Sequence, residues 1–266
     1  MIARYFFSSL LRDKSLWGWG IGFMFFWLYM GAFVFNSYSG TEEEWLFTAS
    51  GWFSIIGLIA ASIVATTISY SIYYSTSSLV YVFKYTNFSP RSYVLNLVGG
   101  SSLVSAVIGT IIILFTAVLF SIRSGFAVVP MMPVQAVFLF ILTGIFMFLF
   151  SLIMVILVNN YLGMKNRSFV NLLPQLLSYI FGFSEFGTPL PMSVIYASPF
   201  SDIPRLLFMV FSGKESPQNM SSFTGPVVNS YILLASLLSW IGVMFIISML
   251  MIGKIRSRSI EEGRHL

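Results

Sequence analysis

The chain has 266 residues, of which 57% are hydrophobic and only 9% are charged, with a formal net charge of +5 at pH 7. A soluble globular domain usually carries about 25% charged residues and needs a wet surface, so this composition excludes a soluble fold and indicates a protein whose surface faces lipid. The absence of cysteine excludes disulfides and thiolate metal sites, and the single histidine, His265, is expected to be a solvated residue of the C-terminal tail.

Residues 1–15 have an amphipathic helical pattern. Ile2, Phe6 and Leu10 fall on one helical face, whereas Arg4 and Arg12 fall largely on the other. This pattern predicts a helix that lies in the membrane interface, and an extension of the first membrane span is the alternative. The apolar run that follows is too long for the core of a signal peptide and lacks a clear cleavage site, so it is expected to remain as a span.

Six apolar segments are predicted to cross the membrane, because a spanning helix needs about 20 predominantly apolar residues. They are residues 16–35, 53–83, 93–122, 134–162, 169–183 and 227–253. Several exceed the thickness of the hydrocarbon layer, so they must tilt or project beyond it. The hydroxyl-rich end of the second, SYSIYYSTSS, is expected to leave the hydrocarbon as a continuous helix. Residues 1–266 are therefore predicted to form a single all-α transmembrane domain.

The distribution of positive charge predicts the orientation of these spans. With six spans both termini lie on one side, and lysine and arginine accumulate on the cytoplasmic side of short loops. That side holds eleven of the fourteen cations: Arg4, Arg12, Lys14, Lys84, Arg91, Lys165, Arg167, Lys254, Arg256, Arg258 and Arg264. We therefore expect a multi-pass plasma-membrane protein with both termini, and the turn KYTNFSPRSY at residues 84–93, in the cytoplasm.

The segment before the last span, residues 184–212, is apolar but rich in proline. Its prolines are Pro189, Pro191, Pro199 and Pro204. Because proline breaks a helix interior, we expect a broken re-entrant segment: a pair of short helices that enters the outer leaflet, lines a protein or water-filled surface, and returns. Asp202 and Arg205 can share one face of a short helix. They are expected either to mark a functional site or to form a simple structural ion pair.

Signatures of catalysis are absent from the sequence. It contains no G-x-x-x-x-G-K-[ST], H-E-x-x-H or G-x-S-x-G, and its long spans contain essentially no ionisable side chain. We therefore expect a protein that does not hydrolyse ATP itself, with no catalytic residue, cofactor, metal site or nucleic-acid partner. The uncharged spans also weigh against an ion-coupled transporter. Gly18, Gly22, Gly99 and Gly100 are interpreted as positions of close helix packing.

Two stretches carry a family resemblance. The first is residues 77–100, SSLVYVFKYTNFSPRSYVLNLVGG, which are similar to a turn that docks on an ATPase. The second is residues 196–213, YASPFSDIPRLLFMVFSG, which are similar to a segment that contains proline and arginine and precedes a last span. With its six predicted spans, amphipathic N-terminal helix and inward termini, the chain resembles the membrane subunit of an ATP-binding cassette transporter of the ABC-2 type. It differs from many relatives in having Ser77 and Ser78, and no acid, where they carry acids and a Gly-Thr pair.

The resemblance implies a complex of two membrane subunits and two ATPase subunits, and export more often than import. The candidate ATPase-docking residues are Tyr81, Lys84, Tyr85, Phe88, Pro90 and Arg91, and those of the outer segment are Pro199, Asp202 and Arg205. Aromatic side chains, Phe83 among them, are typical of interface cores, and Lys84 and Arg91 could steer an acidic groove. Alternatively, these rings belong to the aromatic belt of the membrane interface.

The functional hypothesis is a permease subunit, with export as the expected direction. It forms the substrate pathway with a second membrane subunit, identical or different, among membrane lipids, and a separate ATPase drives it. Uncharged walls favour amphiphilic or lipid-like substrates. Two alternatives stay open: an intramembrane lipid-modifying enzyme, and a scaffold or sensor subunit that does not transport.

Overall fold

The structure, a computed structural model, describes residues 2–14, 16–36, 40–86, 88–161, 172–187, 190–220 and 224–254. Five of the described helices are long and apolar enough to cross a membrane: Leu16–Val34, Glu42–Tyr73, Pro90–Ser124, Pro133–Asn160 and Ser230–Lys254. The only sheet in the described ranges is one two-stranded hairpin. The chain is thus an all-α, multi-pass protein of the membrane-embedded class, as its composition predicts.

The elements follow one another in chain order. They are α1 (Ile2–Leu11), α2 (Phe23–Tyr29), α3 (Glu42–Tyr85), α4 (Pro90–Ser124), α5 (Pro133–Tyr161), α6 (Leu173–Gly187), α7 (Met192–Ala197), α8 (Pro199–Ser212), β1 (Pro217–Asn219), β2 (Thr224–Val227) and α9 (Ser230–Met251). Helix α2 lies between two π-helical segments, Leu16–Gly22 and Met30–Val34, and the three together form the first candidate span.

Helix α1 lies within the segment predicted to be an interfacial helix, residues 1–15. It packs along α4, with Leu10 buried and Phe6 and Phe7 partly buried against the core. The indole Nε1 of Trp17 donates a hydrogen bond of 2.6 Å to the carbonyl of Leu11, which joins α1 to the first span. The amphipathic pattern is therefore used for packing on α4, and the position of α1 in the membrane interface stays a prediction.

Helix α3 begins at Glu42, well before residue 53, where the sequence analysis starts the second span. The side chain of Thr41 accepts a hydrogen bond from the amide of Glu44, whose carboxylate accepts one from the amide of Thr41, and this capping box satisfies two exposed amides. Acids in the first turn also interact favourably with the helix dipole. Hydropathy misses this start because the cap is polar. Helix α3 lies at the centre of the bundle, with most of its spanning part buried.

Helices α4 and α5 pack along each other through glycines that the sequence analysis does not single out. A Cβ at Gly109 of α4 would overlap the ring of Phe140, and a Cβ at Gly144 of α5 would overlap the side chain of Ser105. Their missing side chains therefore permit the close approach of the two helices. Gly125, with φ of 76°, ends α4 in the left-handed conformation that suits glycine.

Gly18, Gly22 and Gly99 do not pack closely against another helix of the described chain, contrary to their interpretation within this subunit. A Cβ at Gly18 or Gly99 would meet nothing within 4 Å, and at Gly22 it would meet only the carbonyl of Trp17, at 3.5 Å. Gly100 is buried, as that interpretation requires. Spacing along one helix cannot show which of its faces meets a neighbour.

The chain between α6 and α9 departs from its predicted boundaries. Helix α6 continues to Gly187, so the first residues of the predicted broken segment, 184–212, still belong to it; of the predicted fifth span, residues 169–171 lie outside the described ranges. Two short helices then follow, α7 and α8. Helix α9 begins at Ser230 rather than at residue 227, because the side chain of Asn229 caps it by accepting hydrogen bonds from two amides.

Pro204 does not break a helix, contrary to the sequence-based expectation. Pro204 lies inside α8. This helix begins at Pro199, in the first helical turn, where a backbone amide would have no hydrogen-bond acceptor within the helix. Nearly all of α8 is buried, packed against α3, α5, α6, α7 and α9. The missing amide of Pro204 removes one helical hydrogen bond, and this extensive packing offsets the loss.

The spans alternate in direction. At one end of the molecule, here the hairpin end, the amide of Met131 donates to the carbonyl of Phe211 at 3.0 Å, and Glu43 at the start of α3 pairs with Lys214 after α8. Arg123 at the end of α4 donates to the carbonyl of Asn36 at the end of the first span. The opposite end, here the turn end, holds the α3–α4 turn and the contact between the ends of α5 and α9, where Asn160 donates to the carbonyl of Lys254 at 3.0 Å.

Candidate functional site

The first candidate region is the turn that joins α3 to α4. Thr86 donates from its hydroxyl to the carbonyl of Val82 at 2.6 Å and accepts from the amide of Phe88 at 3.2 Å. Ser89 then caps α4, its hydroxyl oxygen accepting from the amide of Ser92 at 3.1 Å, and Pro90 occupies the first helical turn. Local hydrogen bonds therefore define this turn, although Asn87 lies outside the described residues.

The inner side of the turn is a cluster of three rings. Phe83 packs against Phe88 with ring centres 6.4 Å apart, and Tyr93 contacts both edge-on, at 5.7 Å from Phe83 and 6.3 Å from Phe88. Tyr93 is buried and the two phenylalanines are partly buried. Phe88 and Phe83 therefore brace the turn, and they offer less free surface than the sequence-based docking hypothesis assumes.

The outer side of the turn is aromatic and cationic. Tyr81 and Tyr85, 58% and 71% exposed, stack on each other with ring centres 6.3 Å apart. The ammonium of Lys84 lies 5.4 Å from the ring centre of Tyr85, and Arg91 is exposed at the start of α4. The structure thus brings Tyr81, Lys84 and Tyr85 together on one exposed patch, named here the tyrosine patch.

The second candidate region is α8, where Arg205 has no exposed surface. Its guanidinium donates to the hydroxyl of Ser201 at 2.8 Å and to the carbonyl of Gln218 in β1 at 3.1 Å. Gln218 in turn donates from its side-chain amide to the carbonyl of Leu190 at 2.9 Å. Arg205 therefore ties α8 to the hairpin, and through it to the chain that enters α7.

Asp202 is also fully buried, but it does not form the expected ion pair with Arg205. No salt bridge joins these two described residues, and neither carboxylate oxygen of Asp202 accepts a hydrogen bond of ordinary geometry from the described chain. Burial raises the pKa of Asp202 from its ordinary value of 3.8 to about 7, because desolvation outweighs the lowering effects of the Ser236 hydroxyl and the Arg205 guanidinium. Pro199, the third candidate here, is a buried first residue of α8.

A cavity opens between the first span, α3 and α6, at a place that no local sequence pattern indicates. Its volume is about 390 Å³. Aromatic, hydroxyl and amide side chains line it together with aliphatic ones: Trp19, Phe23, Ile63, Thr66, Thr67, Tyr70, Leu172, Gln175 and Tyr179. No charged side chain is among them. The lining comes from three distant segments, so only the packing of the helices reveals it.

Metal chemistry finds no support in the described part of the chain, where no three His, Asp or Glu residues cluster as ligands. Comparison with known proteins adds no assignment, because no family model matches the sequence and no curated protein is significantly similar to it. The features that bear on function are therefore the turn, the buried α8 and the cavity.

Proposed function

We propose that this chain is the transmembrane subunit of an ATP-binding cassette transporter of the ABC-2 type, an exporter of the plasma membrane whose ATPase is a separate chain. The main observation in support of this proposal is that α3 is long and ends in the exposed tyrosine patch. Two copies, or this chain and a related one, would form the substrate pathway. ATP binding would draw the two ATPases together and move the α3–α4 turn, and the α7–α8 segment would open the exit.

The length of α3 supports docking rather than a position in the aromatic belt. At 1.5 Å per residue, Tyr81 lies about 58 Å along the axis from Glu42, whereas a whole bilayer with its headgroups is about 40–45 Å thick. If the acidic start of α3 lies at one membrane surface, the tyrosine patch stands clear of the other. Exposed stacked tyrosines there need another partner, and the ATPase would supply one.

Helix α6 is proposed as the fifth of six spans. Its 15 residues extend about 22 Å beside α3, less than the roughly 30 Å of the hydrocarbon layer, so a full crossing would require local thinning of the bilayer. Early residues of α6, Gln175 and Tyr179, line the same cavity as Thr66 and Tyr70 of α3. The later residue Gly182 lies beside an earlier part of α3, because a Cβ there would be 3.2 Å from Ile55. Helix α6 thus runs opposite to α3. Six crossings would put both termini in the cytoplasm, with the cation-rich turn end, and would leave α7 and α8 as the re-entrant pair on the outer side.

The cavity between the first span, α3 and α6 supports a substrate class. Its walls offer rings and aliphatic groups for an apolar body, together with hydroxyl and amide groups for a polar head, and the lining residues that the structure describes hold no fixed charge. Such a surface favours uncharged or zwitterionic amphiphiles over small ions. We propose that this cavity forms part of the transport pathway.

The first experiment tests the partnership with an ATPase. The chain, affinity-tagged and expressed in its native membrane, should co-purify with a protein that contains a phosphate-binding loop, and the complex should hydrolyse ATP. Purification without any nucleotide-binding protein would contradict the proposal and favour a scaffold subunit or a lipid-modifying enzyme.

The second experiment tests the docking patch. Tyr85→Ala combined with Arg91→Glu should release the ATPase, or uncouple its activity from transport, while insertion stays intact, because the change removes an aromatic anchor and reverses a charge. The matched control is Tyr231→Ala with Arg123→Glu, an exposed tyrosine and an arginine at the hairpin end. Unchanged ATPase binding and transport in the first pair would contradict docking at this turn.

A further inference from the structure

Asp202 is an acid at a buried helix junction. Helix α8 is enclosed by other helices, and Asp202 has no exposed surface on it. Neither of its carboxylate oxygens accepts a hydrogen bond of ordinary geometry from the described chain. An ionised carboxylate without compensating partners is strongly disfavoured in such a place, so the group holds a proton or its surroundings must admit water.

Arg205 does not neutralise Asp202 by direct contact. Its guanidinium is directed to the Ser201 hydroxyl and to the carbonyl of Gln218 in the hairpin. The positive charge is still close enough to lower the pKa of Asp202, but burial has the larger effect and leaves that pKa at about 7. Burial, rather than the nearby guanidinium, therefore dominates the electrostatics of this carboxyl group.

The helices around α8 bring few other charges to this junction. Helix α9 faces Asp202 with the neutral hydroxyl of Ser236, and helices α5, α7 and α9 contain no Asp, Glu, Lys, Arg or His. The acids of α3 lie in its first turn, where Glu43 pairs with Lys214. Helix α6 contains Glu185, whose side chain lies outside the described set, so an experiment must test that acid separately.

A groove borders the junction. Ser236 lines this groove, of about 350 Å³ between α7 and α9, together with Tyr196, Ala197, Ser239, Trp240 and Val243. The indole of Trp240 closes part of this groove by donating to the carbonyl of Ala197 at 2.9 Å. Water that enters past these side chains would reach Ser236 and then Asp202.

We propose that Asp202 is a proton-binding site that controls how tightly α8 and α7 pack on α9. When Asp202 is neutral it can donate to the Ser236 hydroxyl, and the junction stays dry and closed. When Asp202 loses its proton, the charge draws water through the α7–α9 groove and loosens the contact. The proton-binding site is inferred from the burial of Asp202 and from the surroundings of its carboxyl group. Only its role as a pH control of the transport exit rests on the proposed function.

The absence of cysteine allows one environment-sensitive probe to test this. Ser239→Cys, at an exposed position in the groove, is labelled with a bimane fluorophore in the purified full-length chain in lipid nanodiscs. As pH rises from 5.5 to 8.5, its emission should shift to longer wavelength with one titration midpoint near 7. Asp202→Asn should abolish this transition and keep the emission of the closed state, whereas Asp202→Glu should retain a transition.

Two matched variants identify the titrating group. Asp13→Asn changes the other aspartate of the chain, and Glu185→Gln changes the acid of α6; both should leave the transition as in the parent. A flat emission profile in the parent protein, or a transition that persists in Asp202→Asn, would overturn the proposal. Because the measurement needs no ATPase, its result is independent of whether the chain is a transporter subunit.

Discussion

Asp202 and Arg205 stand three positions apart on α8, yet their environments differ in kind. The terminal guanidinium nitrogens of Arg205 donate to acceptors from two elements, α8 and β1, whereas neither carboxylate oxygen of Asp202 has such a partner within the described chain. Sequence spacing predicts that the two side chains share a face, and it predicts no more than that. Their partners could not be foreseen, because the carbonyl of Gln218 reaches Arg205 only through the folding of the hairpin onto α8.

The protonation of Asp202 predicts a pH dependence of stability. The pKa of Asp202 is higher in the folded protein, at about 7, than its ordinary value of 3.8, so the folded state keeps a proton that the unfolded state releases between these values. Stability should therefore fall as pH rises from about 4 to about 7 and stay low above that. In detergent, Asp202→Asn should raise the thermal midpoint relative to the wild type more at pH 8 than at pH 5.

Asp13→Asn serves as the control for this measurement, since it makes the same chemical change at the only other aspartate. A difference between Asp202→Asn and the wild type that is the same at both pH values would contradict the linkage. In that case the change in thermal midpoint would be explained by the different hydrogen-bonding capacity of asparagine and not by protonation of Asp202.

The helices show what hydropathy alone can and cannot predict. The long apolar runs predict the all-α class, and they predict α4 and α5 to within a few residues of Pro90–Ser124 and Pro133–Tyr161. The start of α3 is missed because its cap, Thr41 with Glu44, is polar. The tyrosine patch is predicted in part, because Tyr81 and Tyr85 are four residues apart on one helix. The cavity is not predicted, because its lining comes from three segments that are distant in the sequence.

A pair of glycine substitutions in α4 tests the packing of α4 on α5. Gly109→Ala places a methyl group against the buried ring of Phe140, and overpacking of this kind typically costs about 1–3 kcal/mol. Gly99→Ala, in the same helix with open space around it, should be neutral or stabilising by up to about 1 kcal/mol, because alanine favours a helix more than glycine does.

Thermal unfolding of the two variants in detergent, followed by helical circular dichroism, measures the difference. Equal midpoints for Gly109→Ala and Gly99→Ala would show that α4 and α5 are not in close contact at Phe140.

At the scale of the whole molecule, the charges of the described residues differ between the two ends of the bundle. Lys84, Arg91 and Lys254 lie at the turn end. The hairpin end holds the three acids of the first turn of α3 and Glu215, together with the two cations Arg123 and Lys214. The alternation of the spans keeps these groups apart. This polarity supports the proposed orientation, with the turn end in the cytoplasm.

Single cysteines at the two ends of α3 test that orientation. Glu42→Cys and Thr86→Cys both lie at exposed positions of a chain that has no other cysteine. A membrane-impermeant maleimide should label Glu42→Cys on intact cells, and it should label Thr86→Cys only after permeabilisation. Both should react after solubilisation in detergent, which controls for shielding by a partner. External labelling at residue 86 would invert the proposed topology.

The unbroken course of α3 has a mechanical consequence. A helix of 44 residues is a rod about 66 Å long, and a rotation of roughly 5° about its midpoint displaces its two ends by about 3 Å in opposite directions. Helix α8 and the first span both pack against α3. A displacement of Tyr85 at one end of α3 would therefore move Glu43, and with it Lys214, in the opposite direction. Force applied on one side of the bilayer would thus become motion on the other without any hinge inside the membrane.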